Sequence, residues 1–222
     1  MDTVIQDSPH IVAIYGSPRR NGNTATLLRE AIAGARAAGA RVDEIVLRDL
    51  KLSPCLEIYS CRQGGECRIR DDFQKVRDVV LSCGGLMLAS PIFYYAVSAH
   101  TKILMDRFHS VWVQKHWVEK GSGPARSQRR KGLFISAGAT QGRKLFEGTL
   151  LSVRYFYDTL DMDLWKTLLY RGLEDADDVL KHPEYLDEAR RAGVELAETL
   201  TGCAPGPHRQ PAATATLKHD LQ

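Results

Sequence analysis

Short apolar runs alternate along this chain with longer stretches in which apolar residues recur at helical spacing, the pattern of a parallel sheet covered by helices on both faces. The first run, Ile11-Val12-Ala13-Ile14-Tyr15, is nearly all apolar, as strands buried on both sides are. A glycine-containing turn follows. Leu27, Leu28, Ala31, Ile32, Ala35 and Ala38 then mark one stripe of a helix predicted over residues 24–38, which Gly39 stops. The same reading predicts strands over 41–47, 85–89, 132–137 and 164–170. It predicts a short helix over 73–81, a long one from Ser98 carrying Ile103, Leu104, Phe108 and Val111, another over 143–160 and a last over 183–200 that opens on Pro183. Residues 120–130, rich in Gly, Ser and Arg, read as a loop. A single domain is expected over residues 1–202, with residues 203–222, rich in Pro, Ala, Thr and His, as a mobile tail.

Five β-α units in this order predict a doubly wound sheet with strand order 2-1-3-4-5. Ligands of such sheets bind beyond the carboxyl ends of the strands, at the switch point between strands 1 and 3. That geometry singles out three loops, residues 16–24, 90–96 and 136–142.

Composition narrows the field mainly by exclusion. The 222 residues carry 30 basic and 27 acidic side chains, a net charge of +3 that gives no reason to expect nucleic acid as a partner. No apolar run approaches the roughly 18 residues a membrane span needs, and the polar start of the chain has no secretory pattern, so a cytoplasmic location is expected. Three of the five cysteines, Cys55, Cys61 and Cys67, cluster closely; in a reducing compartment this favours metal, cluster or redox chemistry over structural bridges.

The first loop reads Gly16-Ser17-Pro18-Arg19-Arg20-Asn21-Gly22-Asn23-Thr24. Free backbone N–H groups and the dipole at a helix N-terminus attract an anion. Ser17, Asn23 and Thr24 add side-chain donors, Arg19 adds a charge-assisted one, and Gly16 and Gly22 admit close backbone approach. A Walker loop would need a second glycine five residues after Gly16 and a lysine, and a dinucleotide fingerprint would need glycine where Pro18 stands. Neither fits, whereas a single phosphate monoester does. The loop after strand 3, Ser90-Pro91-Ile92-Phe93-Tyr94-Tyr95-Ala96, is stiffened by Pro91 and offers aromatic and apolar surface to a flat ring. The third loop, Ser136-Ala137-Gly138-Ala139-Thr140-Gln141-Gly142, is built of small residues whose N–H groups can face a ring edge and stabilise negative charge on it.

These segments resemble the NADPH-dependent FMN reductases and the related iron–sulfur flavoproteins, from Ile11 to about Leu200. The resemblance is most specific in the first loop, in the cysteine segment ending Asp71-Asp72, and in Ser90-Pro-Ile-Phe-Tyr-Tyr95. It implies a flavodoxin-like fold with FMN as cofactor, its phosphate on Ser17, Arg19, Asn23 and Thr24. The full expected set adds Asn21 and Gly22; Pro91, Ile92, Phe93, Tyr94 and Tyr95 against the isoalloxazine; and Ser136, Ala137, Gly138 and Gly142 at its edge. No side chain need act as a nucleophile, so no catalytic residue is assigned.

Iron–sulfur flavoproteins carry four closely spaced cysteines where this chain has Cys55, Cys61 and Cys67, with Ile58 in the second cysteine's place. A 4Fe–4S cluster takes four thiolates, so no cluster is expected; those three residues are the ones that would ligate it. Cys83 reads as a buried small hydrophobe. Trp112, His116 and Trp117 read as a lid, a subunit contact or packing, and Arg126, Arg129, Arg130 and Lys131 as a solvated loop or a site for a dinucleotide phosphate. The resemblance implies an FMN-dependent oxidoreductase passing electrons from NAD(P)H to a flavin, quinone or other small acceptor, as a homodimer or homotetramer. The alternative is an electron-transfer flavoprotein meeting a ferredoxin-like partner.

Overall fold

A computed structural model describes residues 8–120 and 130–201. The tail expected over 203–222, and Arg126 and Arg129, lie outside the described residues. Five strands, β1 (His10–Tyr15), β2 (Arg41–Val46), β3 (Gly85–Pro91), β4 (Arg130–Gly138) and β5 (Met162–Arg171), form one parallel sheet in the order β2-β1-β3-β4-β5. This is the flavodoxin-like doubly wound order. The helices are α1 (Asn23–Ala37), α2 (Phe73–Ser82), α3 (Ala99–Arg107), α4 (His109–Val113), α5 (Glu147–Thr159) and α6 (Pro183–Leu200).

The apolar run of β1 divides between two cores. Ile11, Ala13 and Tyr15 pack with α1 and α6 on one face, and Val12 and Ile14 pack with α2, α3 and α5 on the other. Period-2 alternation thus buries both faces of the strand, which is why the run is nearly all apolar; its one hydroxyl, that of Tyr15, donates to Glu44 at 2.7 Å. Helices α1 and α6 meet through glycine. A Cβ on Gly34 would lie 2.0 Å from the carbonyl oxygen of Arg190, and one on Gly193 1.9 Å from that of Ala31. Both obstacles are backbone, so the close approach depends on the missing side chains. The contact fixes α1, and with it the loop that leads into α1.

Strands β3 and β5 extend up to two residues beyond the expected runs, and three further boundaries differ from the sequence expectation for reasons the contacts show. The long helix from Ser98 is interrupted at Phe108, continues as α4 and widens into one π-helical turn over Gln114–Val118. The helix expected from residue 143 begins at Glu147. Tight turns occupy the intervening residues, with Leu145 N–H on the Gly142 carbonyl at 3.0 Å and Glu147 N–H on that of Lys144 at 3.1 Å, while Leu145 and Phe146 are buried. Strand β4 starts at Arg130, inside the expected loop, because that guanidinium serves carbonyls already in place. It donates to Val80, Leu81 and Cys83, each at 3.0 Å, at the end of α2, and to Leu160 after α5. Arg130 is therefore a helix-end cap rather than part of a dinucleotide-phosphate site, and Lys131 pairs with Asp163 at 3.3 Å.

The carboxyl ends of the four central and right-hand strands finish level: Tyr15 stands beside Ala89, Pro91 beside Ala137, and Ala137 beside Tyr170. All the loops that carry candidate chemistry leave from this edge.

Candidate cofactor-binding site

A cavity of about 170 Å³ opens at that edge, between the ends of β1, β3, β4 and β5. Loop one contributes Ser17, Arg19, Gly22, Asn23 and Thr24; loop two contributes Pro91, Ile92 and Phe93; loop three contributes Ala137 and Gly138. Residues 120 positions apart in sequence thus border one space, as the switch-point rule requires.

The donors differ in how free they are. Gly22 is the N-cap of α1 and offers no capping side chain, and the first intrahelical bond comes from Thr26 N–H to the Gly22 carbonyl at 3.0 Å. The N–H groups of Asn23, Thr24 and Ala25 therefore have no helical acceptor and lie at the positive end of the dipole. Ser17 Oγ accepts from Arg19 N–H at 3.0 Å and keeps its own proton to donate. Thr24 is buried at the cavity wall. Arg19 holds the Glu174 carbonyl at 3.3 Å with one guanidinium nitrogen and has others to spare.

Asn23 is spent differently from the expectation. Its amide donates to the Asp175 carbonyl at 2.7 Å and accepts from Val179 N–H at 3.0 Å, so the side chain ties the segment after β5 to α1. One amide hydrogen and the backbone N–H are left for an anion. Asn21 faces away from the cavity and accepts from Arg29 at 2.8 Å. Ser136 is fully buried, and its hydroxyl donates to the Ser90 carbonyl at 2.8 Å, inside the sheet edge rather than at the cavity wall. Gly142 sits further along loop three, where its carbonyl accepts from Arg171 at 3.3 Å.

Loop two closes as a two-residue turn. Phe93 and Ala96 exchange both backbone hydrogen bonds at 2.9 Å, with Tyr94 and Tyr95 at φ 49° and 61°. Such a turn favours Asn-Gly, and two tyrosines held there carry strain of about 1–3 kcal/mol each. The Tyr95 carbonyl is fixed by the Thr149 hydroxyl at 3.0 Å, while the Tyr94 side chain stands fully exposed. Phe93 reaches the cavity; Tyr94 and Tyr95 do not border it.

The loops named from sequence omit a fourth contributor. Leu173 and Glu174, just after β5, also line the cavity, and Gly172 turns the chain there at φ 74°. The rule that nominated the other three applies equally to the end of β5, and the acidic stretch Glu174-Asp175-Ala176-Asp177-Asp178 masked the signal.

The cysteine segment lies elsewhere. Cys55 and Cys61 border a larger groove, of about 730 Å³, between α3, α4 and α5, with Tyr59, His109, Trp112 and Tyr155. Burial pushes the Cys61 thiol above its ordinary range, and the neighbouring Cys55 and Cys67 add to the rise. Among the described residues no group of three His, Cys, Asp or Glu side chains is placed to hold a metal ion. The segment is anchored by Arg107, which is 1 % exposed. Its guanidinium grips both carboxylate oxygens of Asp71, at 2.6 and 3.1 Å, and the carbonyls of Ser53 and Ile69 at 2.9 and 3.0 Å. Burial raises the Asp71 carboxyl, but Arg107 and the N–H groups of Ser53 and Phe73 outweigh it and leave Asp71 below its usual range. Cys83 is completely buried, which pushes its thiol up to about 11. Trp112 stacks on His109 at 5.6 Å and touches His116 and Trp117, so these rings form one surface cluster. Among the described residues no helix is long and apolar enough to cross a membrane.

The model of the NADPH-dependent FMN reductase family matches residues 9–150. The chain belongs to that family. An iron–sulfur flavoprotein of Methanocaldococcus jannaschii is 38% identical over 97 residues, covering 44% of this chain and 50% of that protein. A Bacillus subtilis protein carrying the name NAD(P)H-dependent FMN-containing oxidoreductase is 31% identical over 98 residues, covering 44% of this chain and 51% of its own. The chain thus spans about half the length of the curated relatives it matches. Among solved structures, an NAD(P)H:quinone oxidoreductase from Methanothermobacter marburgensis superposes with a TM-score of 0.65 at 17% identity, over 93% of this chain and all of that one. At that identity the likeness is one of fold.

Proposed function

We propose that this protein is an FMN-dependent oxidoreductase that passes electrons from NADH or NADPH to a small acceptor such as free flavin, a quinone, or a nitro or azo compound. The observation that carries the reading is the cavity itself, where the start of α1 and the ends of β3 and β4 meet around free N–H donors, a Ser17 hydroxyl and Arg19. This donor set suits a phosphate monoester. The cavity has room for a phosphate and part of a ribityl chain, with Pro91, Ile92, Phe93 and Gly138 on the side where a ring would lie. Bound flavin supplies hydride acceptance and electron transfer; the protein binds and orients it. Arg19 and the first turn of α1 hold the phosphate, Phe93 and Ile92 exclude water from the ring, and the backbone of loop three tunes it.

A second reading is an electron-transfer flavoprotein with a ferredoxin-like partner; the relatives named iron–sulfur flavoproteins support its flavin. Assembly as a homodimer or homotetramer belongs to the proposal as well; the exposed Leu151 and Tyr155 of α5 give such a contact apolar surface. The deciding experiment is the absorption spectrum of protein purified without air, before and after NADPH or NADH. A flavin spectrum that bleaches within seconds supports the reductase. A flavin spectrum that answers only to reduced ferredoxin moves the assignment to the carrier. Absence of bound flavin, with none taken up on adding FMN, overturns both.

A further inference from the structure

Beneath the cavity lies a set of buried hydroxyls that no loop motif announces. Ser90, Ser98, Thr101 and Ser136 are each at most 1 % exposed. The Ser136 hydroxyl donates to the Ser90 carbonyl at 2.8 Å, and Ser90 Oγ accepts from Ser98 N–H at 2.9 Å. Ser98 Oγ lies 2.5 Å from the Gly16 carbonyl oxygen, 3.2 Å from Thr101 N and 3.0 Å from Thr101 Oγ1. A carbonyl and an N–H fix the direction of these bonds. Ser98 has one proton and must give it to Gly16, so both groups of Thr101 donate to Ser98 Oγ. The ends of β1, β3 and β4 and the start of α3 are thereby joined through four side chains.

The Gly16 bond has a consequence for the phosphate loop. A trans peptide is planar, with its carbonyl and N–H pointing in opposite directions. Once Ser98 holds the Gly16 carbonyl on the α3 side, the N–H of the same peptide, that of Ser17, is directed away from α3. Ser17 borders the cavity, and no described group accepts from its N–H. Gly16 is held from its other side by its own N–H, which donates to the Ala89 carbonyl at 2.7 Å, and no side chain fits there, because a Cβ would stand 2.1 Å from Thr101 Oγ1 and 2.8 Å from that carbonyl oxygen.

We propose that Ser98, which does not border the cavity, is a positioning residue for the phosphate loop: its hydroxyl orients the Gly16–Ser17 peptide so that the Ser17 N–H meets the phosphate of the cofactor. The inference rests on the reading of the cavity as an FMN site. Its signature is selective, since a residue that serves the phosphate should matter for FMN and not for riboflavin, which shares the ring and ribityl chain.

The test compares dissociation constants of FMN and riboflavin, from quenching of flavin fluorescence, for wild type, Ser98→Ala and Thr101→Val. In Ser98→Ala we expect FMN to weaken by about tenfold or more, the value of one hydrogen bond to a charged group, and riboflavin by less than about threefold. Thr101→Val removes a donor to Ser98 but leaves the bond to Gly16, and should keep the ratio of the two constants within about threefold of wild type. Should Ser98→Ala not fold, as judged by circular dichroism, Ser98→Gly removes the same hydroxyl while glycine remains acceptable at the N-cap of α3. An unchanged ratio of the FMN to the riboflavin constant in the Ser98 variants overturns the proposal and leaves the flavin site standing, and so does a ratio that rises equally in Thr101→Val. Wild-type protein that binds riboflavin as well as FMN overturns the phosphate assignment of the loop itself.

Discussion

The cavity at the sheet edge and the groove beside the cysteine segment invert the usual expectation about where a site advertises itself. The groove is several times larger, about 730 against 170 Å³, and holds thiols, aromatic rings and charges. Yet the charged groups that shape its segment are consumed by anchoring, with Arg107 closed on Asp71 and on two carbonyls. In the small cavity the pattern is reversed. Ser90, Ser98 and Ser136 are bonded behind the wall and the Asn23 side chain is bonded at it, while the N–H groups of Asn23 and Thr24 and the Ser17 hydroxyl proton, on residues that border the cavity, are left without an acceptor among the described residues. Unspent donors held by spent ones, rather than volume or conspicuous residue types, distinguish a prepared site.

The strongest way to break this comparison is Arg107→Ala. It leaves the largely buried Asp71 carboxylate without its partner and should cost about 3–5 kcal/mol, read as a lowered urea midpoint. If the two regions are independent, the folded fraction should still bind FMN with wild-type affinity; a parallel loss of FMN would join them. The same pair responds to acid. Because Asp71 titrates below its unfolded value when folded, its contribution is present above the unfolded pKa and fades as pH falls through the folded one. Urea midpoints should therefore drop more steeply below about pH 4 for wild type than for Asp71→Asn, which is less stable at pH 7 but flatter in acid. A variant as acid-sensitive as wild type would remove Asp71 from the account.

On the cavity side, Arg19→Ala should weaken FMN about tenfold, or about 1.4 kcal/mol, without weakening riboflavin, and the deficit should shrink as salt is raised. Calorimetric titration at two ionic strengths checks both parts. The smallest effect is expected from replacing Cys55, Cys61 and Cys67 together by serine. Stability should change by no more than about 1–2 kcal/mol, with FMN affinity and the rate of flavin reduction within about threefold of wild type. A tenfold fall in that rate would give the thiols a role that their placement does not supply.

Much of this was legible in the sequence because it depends on local rules. The all-apolar 11–15 run, the Ala- and Leu-striped helix after it and the order of five such units suffice to predict a doubly wound parallel sheet. Loop 16–24 has glycines and hydroxyls at a strand-to-helix turn, the pattern from which an anion site is expected. What the pattern could not assign was the use of each polar group. Asn23 and Ser136 have the right chemistry to touch a cofactor, but their side chains bond to backbone 152 and 46 residues away. Arg107 has the spacing of a residue on an amphipathic helix and the charge of an exposed one, and is buried because Asp71 and two carbonyls wait for it. Ser98 marks only the start of a helix in the sequence; in the fold it caps that helix and is also the clasp on Gly16.

The sequence by itself therefore determined the periodicities, the fold class and the loop most suited to a phosphate, since these follow from how a residue behaves beside its near neighbours. Only the tertiary structure decided which donors remain free, which are consumed, and that the end of β5 completes the cavity. A hydrogen bond is directional and each donor can be used once, so its assignment waits until distant segments have been brought within about 3 Å of one another.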